Sequence, residues 1–136
     1  MIVFLDANAV IYLIEGAEPL AGRVRARLAG VEREFPGARL ALSRLSWLEC
    51  RIRPMRRNEP AVLAAYDTFF ARPDLIWVEL DKNVVELATA IRARHGLRTP
   101  DALQAACCLQ LGPEHRLFSG DAMFGRVAGL NVEVLE

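Results

Sequence analysis

Met1-Ile2-Val3-Phe4-Leu5-Asp6-Ala7-Asn8 is the stretch that sets the architecture. Its apolar run, three members of which are β-branched or aromatic, reads as a short strand buried on both faces. The run stops at a carboxylate and a carboxamide. In doubly wound α/β folds, ligands sit just beyond the carboxyl ends of parallel strands, so Asp6 is expected to point into such a crevice.

Working outward, Ala9 to Ile14 continues apolar as a short helix that Asp6 or Asn8 can cap and Gly16 ends. Pro19 stands near the start of an amphipathic helix carrying Leu20, Val24, Leu28 and Val31 at helical spacing, and Pro36-Gly37 breaks it. Arg39-Leu40-Ala41-Leu42 is a second strand, with Ser43 a cap for the next helix. That helix is expected to turn Leu45, Leu48 and Ile52 to one face, with Glu49 between them, and to bend or end at Pro54. A further helix from Pro60 to Phe70 completes a helical hairpin before a third strand, Leu75-Ile76-Trp77-Val78.

Asp81 caps a helix whose stripe is Val84, Val85, Leu87, Ala88 and Ile91, stopped by His95-Gly96. Thr99-Pro100-Asp101 then supplies a cap, a first-turn proline and a first-turn acid. The helix they open is so rich in small apolar residues that burial nearly all round is expected. Arg116 to Ser119 is a fourth strand, Gly120-Asp121 a turn, and Asn131 to Leu135 a fifth strand. Strands alternating with helices give an α/β fold, a parallel five-stranded sheet flanked by helices, in a single domain over residues 1–136.

Composition narrows the chemistry. A hydrophobic fraction of 53% with 25% charged residues is that of a packed globule. The 17 basic residues balance the 17 acidic ones, so nucleic-acid binding requires a local patch. Lys82 is the sole lysine and the one candidate for lysine chemistry. Cys50, Cys107 and Cys108 show no C-x-x-C spacing and read as buried thiols of a reducing compartment, with neither a disulfide framework nor a zinc site. Without a basic leader or a long apolar span, the expected location is cytoplasmic.

Helices of right-handed crossovers run opposite to the strands, so helix beginnings share an edge with strand ends. Asp6, Glu49, Asp101 and Asp121 therefore fall on one rim. Crowded carboxylates repel unless a cation lies between them or one is protonated. Hard oxygen donors on an open rim suit Mg²⁺ or Mn²⁺, which assist phosphodiester hydrolysis without a His, Ser or Lys nucleophile.

Phe4-Leu5-Asp6-Ala7-Asn8, the isolated Glu49, Thr99-Pro100-Asp101-Ala102-Leu103-Gln104-Ala105-Ala106 and Ser119-Gly120-Asp121-Ala122-Met123-Phe124 resemble the four acidic motifs of PIN-domain ribonucleases. Length, motif order and helical hairpin look most like VapC-type toxins of bacterial toxin–antitoxin pairs. The resemblance implies a PIN-like α/β/α sandwich and a Mg²⁺- or Mn²⁺-dependent endoribonuclease. It further implies Asp6, Asp101 and Asp121 as metal ligands, Glu49 as a ligand or a base through water, and Asn8 and Ser119 as hydrogen-bonding supports, with Thr99 beside Asp101. An antitoxin partner and a homodimer are implied with it. Gly120 and Ala122-Met123 depart from the more polar turn of the family around Asp121.

Each acid alone also has a structural reading: Asp6 as a helix cap, Asp101 as a charge at a helix N-terminus, Asp121 as a turn residue. Glu49, among Leu45, Trp47, Leu48 and Ile52, has the weakest such reading. Arg51, Arg53, Arg56 and Arg57 form either a solvated face or an RNA phosphate contact beside Glu49. His95 and His115 are expected at the surface. Two other functions stay open: a Mg-dependent phosphoacceptor or phosphatase domain, and a non-catalytic protein of this fold that binds RNA or a partner.

Overall fold

The computed structural model describes residues 1–16 and 18–135. Strand β1 (Ile2–Leu5) leads into helices α1 (Ala7–Glu15) and α2 (Leu20–Glu34), then β2 (Arg39–Ser43) and the hairpin α3 (Arg44–Arg56) and α4 (Pro60–Phe70). Strand β3 (Ile76–Val78), helices α5 (Lys82–His95) and α6 (Thr99–Leu109), strand β4 (His115–Ser119), a 3₁₀ turn (Ala122–Arg126) and β5 (Val132–Val134) follow. All five strands are parallel, in the order β3-β2-β1-β4-β5. The chain thus builds outward from β1 on one side and then crosses back to start the other side at β4. The junction of β1 with β4 is the switch point at which such sheets leave a crevice.

Alternation along the strands supplies both layers. Val3, Leu5, Leu42 and Phe118 pack with α1, α2 and the hairpin, whereas Phe4, Ala41 and Leu117 pack with α5, α6 and Phe124. Phe4 pairs in register with Ala41 on one side and Leu117 on the other, so three neighbouring strands present one continuous apolar row. Cys50, Cys107 and Cys108 are buried free thiols. None of the described helices is long and apolar enough to cross a membrane.

Several local expectations are corrected. Helix α3 turns Ser46, Cys50 and Pro54 inward, while Leu48, Ile52 and Met55 are 57%, 46% and 57% exposed. Both sets have helical spacing. The small inward side chains permit close approach to α1, with Cys50 Sγ 3.7 Å from the Ala7 carbonyl oxygen. Pro54 does not end α3, which continues to Arg56; Asn58, at φ 55°, makes the reversal. Thr99 is the first residue of α6, and Arg98 with its extended backbone is the cap position without a side-chain capping bond. Already helical, Thr99 is not placed to receive a first-turn N–H. His115 is buried at the start of β4, where its Nδ1 lies 2.6 Å from the Gly112 oxygen and its Nε2 accepts the Asn131 N–H at 3.1 Å. The 3₁₀ turn after Asp121 was not expected.

Candidate active site

Asp6 follows directly on β1. Its N–H donates to the Phe118 carbonyl of β4 at 3.2 Å, and its Oδ1 caps α1 by accepting the Ala9 N–H at 2.8 Å. The side chain is thereby locked at the switch point and is 6% exposed. Burial pushes its carboxyl up from 3.8 to about 6. The Ser119 and Ala9 hydrogen bonds oppose this, and the charges of Asp101 and Glu49 add to it.

Glu49 projects from the second turn of α3 and is half-buried, accepting a hydrogen bond from Gln104 Nε2 at 3.3 Å. Burial raises its carboxyl, Gln104 lowers it, and Asp101 raises it further. Asp101 stands in the first turn of α6. Burial and the charge of Asp121 raise it, while Arg98, with Nε 3.8 Å from Oδ2, pulls it down. Asp121 caps the 3₁₀ turn by accepting the Met123 N–H at 2.9 Å. Its own N–H donates to Ser119 Oγ at 2.9 Å, so buried Ser119 links the two strand-end acids.

Asp6, Asn8, Glu49, Asp101 and Gln104 line one cavity of about 60 Å³, with Ala7 and Phe124 completing it. It is far below the several hundred Å³ typical of an organic ligand's pocket. Asp121 is beside this cavity and does not line it. A larger groove of about 400 Å³ between α5 and α6 contains no carboxylate; Val85, Ala88, Ala102 and Leu103 line it, and Thr99 belongs there. The acids gather in the smaller space.

The donors lining the cavity are carboxylate and amide oxygens, the type that hard divalent cations take. Among the described residues no group of three or more Asp, Glu, His or Cys side chains is arranged to hold an ion. Magnesium commonly keeps several waters and takes only one or two carboxylates, so an open rim of carboxylate and amide oxygens is compatible with it. Burial is the main reason that the Asp6, Glu49 and Asp101 carboxyls are raised, with the charge of neighbouring acids adding to it, and a cation there would offset that cost.

The arginine run has a different environment from the one expected. Arg51 Nε donates to Asp67 of α4 at 3.0 Å, and its guanidinium lies 5.1 Å from the Trp47 ring centre. Arg53, one turn below Glu49, pairs with Glu15 at the end of α1, and Glu15 also accepts from Tyr66. Arg56 and Arg57 are exposed at the far end of α3. Sequence reasoning passed over the cation beside the acids, exposed Arg98; Arg44 pairs with Glu79 at 2.8 Å and covers Trp77. It also passed over Gln104, although a lone carboxamide in an apolar helix is a sign of buried hydrogen bonding.

A PIN domain family model matches residues 3–130. No curated protein sequence matches the chain. Among solved structures, VapBC2 from Rickettsia felis bound to a promoter DNA fragment is similar over 100% of both chains, at 16% identity and a TM-score of 0.79. A toxin–antitoxin complex from Klebsiella pneumoniae is similar over 98% of each chain, at 18% identity and a TM-score of 0.71. DNA-bound VapBC from Salmonella typhimurium is similar over 100% of this chain and 99% of that one, at 18% identity and a TM-score of 0.76. At these identities the likeness is one of fold.

Proposed function

The chain belongs to the PIN domain family, and from that premise we propose that it is a divalent-metal-dependent endoribonuclease, the VapC-type toxin of a toxin–antitoxin pair. The observation that carries this reading is the cavity shared by Asp6, Glu49 and Asp101, residues far apart in the chain, at the sheet's switch point. Asp6 and Asp101 would hold Mg²⁺ or Mn²⁺, with Asp121 at the edge of the site and Glu49 as a further ligand or as a base. A bound divalent ion supplies positive charge at the phosphoryl group and makes water more acidic.

The remaining work belongs to the chain's own side chains. Glu49 takes a proton from the attacking water as the water oxygen bonds to phosphorus and the P–O bond to the leaving ribose oxygen breaks, that oxygen taking a proton from solvent. Asn8, exposed on the first turn of α1, presents its carboxamide at the cavity mouth. Arg98 is the cation best placed for the neighbouring RNA phosphate, because it is exposed and already stands beside Asp101. Arg56 and Arg57 extend the basic surface further along α3.

The similar structure from Klebsiella pneumoniae is a toxin–antitoxin complex, and an antitoxin is the partner we propose here. Leu48, Ile52 and Met55 form an exposed apolar stripe along α3 that such a partner would cover. The family resemblance extends the proposal to a homodimer acting in the cytoplasm.

The test is cleavage of structured cellular RNA by purified protein, with Mg²⁺ or Mn²⁺ and after chelation, for wild type, Asp6→Asn and Asp101→Asn. Cleavage by wild type with metal alone is the expected result. Activity that persists in EDTA, or in both variants, overturns the metal mechanism.

A further inference from the structure

We propose that Gln104 is a positioning residue for Glu49, its buried carboxamide setting the direction in which the Glu49 carboxylate enters the acid cavity. The contact stands on geometry alone; its purpose rests on the nuclease reading above. Gln104 is 3% exposed and sits on a helix whose other buried residues are apolar or sulfur-bearing: Ala102, Ala105, Ala106, Cys107 and Cys108. A carboxamide there is costly unless every polar atom is used.

They are used in a fixed order. Ser43 Oγ accepts the Ser46 N–H at 3.3 Å as the cap of α3, which leaves the Ser43 hydroxyl hydrogen to donate to Gln104 Oε1 at 2.7 Å. Gln104 Nε2 then donates one hydrogen to Ser46 Oγ at 2.9 Å and the other to Glu49 Oε1 at 3.3 Å. Turning the amide over would set its oxygen against a carboxylate oxygen, so the sequence of donors has one sense. Ser43 and Ser46 are both fully buried, which makes the far end of the chain of bonds rigid.

The network therefore ties three pieces together: the end of β2, the second turn of α3 and the first turns of α6. Glu49 has an exposed flank, and without Gln104 its carboxylate would sample other rotamers directed to solvent. Holding it removes that freedom before any ligand arrives, the preorganisation that a ligand or base at this place requires. Partners of this kind behind a ligand change metal affinity or activity by about 10- to 100-fold when removed.

The test has two arms. In the first, the full-length, ¹⁵N-labelled, metal-free protein is observed by NMR at its side-chain amides, Gln110, which is exposed, serving as the reference glutamine. Glu49→Ala is expected to shift one Gln104 Nε2 proton and leave Gln110 in place; an unmoved Gln104 pair overturns the proposal. This arm needs no substitution in the core. In the second, Mn²⁺ affinity is measured by electron paramagnetic resonance for wild type, Gln104→Met, Glu49→Ala and the double variant. Gln104→Met should weaken binding about tenfold when Glu49 is present and less than twofold when it is absent. Equal weakening in both backgrounds marks a packing defect and overturns positioning. A wild type with no Mn²⁺ affinity but a Gln104 amide that responds to Glu49→Ala sinks the metal reading and keeps the contact.

Discussion

Asp6 accepts the Ala9 N–H at 2.8 Å while standing in the same cavity as Glu49 and Asp101, so one carboxylate both starts helix α1 and belongs to the acidic site. The two roles separate by substitution. Asparagine caps a helix about as well as aspartate, but carries no charge to bury. With the Asp6 carboxyl pushed up from 3.8 to about 6, Asp6→Asn should stabilise the metal-free protein at pH 7, by up to about 3 kcal/mol. Thermal melts in EDTA at pH 7 and pH 4.5 check this. The advantage should shrink at the lower pH, and a destabilised variant at pH 7 would contradict the assignment.

The wild type has a matching pH dependence. A carboxyl raised on folding contributes stability that is fully present below its unfolded value, near 3.8, and lost as pH rises through about 6. The metal-free protein should therefore gain stability from Asp6 on acidification across that window. Metal binding has the opposite sign, because protons compete for the same oxygens. The rise in melting temperature produced by Mn²⁺ should be largest above pH 7 and fade below pH 6, and a metal effect that grows on acidification would refute the site.

Asp101 lies in the first turn of α6, where the helix dipole favours a negative charge by about 0.3–1 kcal/mol. Repulsion from Asp121 and partial burial work against it. We expect Asp101→Asn to change metal-free stability by less than about 1 kcal/mol while abolishing cleavage. Denaturation and activity assays on the same preparation decide the point; a large loss of stability would assign the residue to helix initiation instead.

The arginines should divide by their partners. Arg98→Ala is expected to weaken RNA binding several-fold and to flatten its salt dependence by about one phosphate's worth. Arg51→Ala, which breaks the contacts to Asp67 and Trp47, should instead lower the melting temperature with little effect on RNA affinity. Filter binding across a salt series separates the two outcomes.

For the partner, Ile52→Asp should leave the melting temperature within a few degrees of wild type and reduce antitoxin affinity by at least tenfold, since the side chain is 46% exposed at the middle of the α3 stripe. Titration calorimetry with the purified antitoxin measures it. Unchanged affinity would place the partner on another face.

The strands and most helices were legible because their signals are local: the buried run before Asp6, the Asp81 cap, Gly16 and Gly96 at helix ends. The shared rim of the acids followed from topology. What escaped notice depended on contacts made at a distance. Helix α3 offers two faces of helical spacing, and only the close approach of α1 at Cys50 selects the polar-looking one. His115 resembles a loop-end residue until Gly112 and Asn131 are seen to flank its ring. Arg51 and Arg53 look like a free basic run because Asp67 and Glu15, which occupy them, are remote in the chain. Gln104 meets its partners across 55 to 61 positions.

The order of the strands has a consequence for the protein during its own synthesis. Asp6 and Glu49 are synthesised well before Asp101 and Asp121, and the crevice they face is closed on one side by β4, which pairs with β1 only after residue 118 has been made. A truncated or still-growing chain has acids but no assembled site. The crevice at Asp6 is therefore completed only once the chain through Ser119 is free to pair with β1.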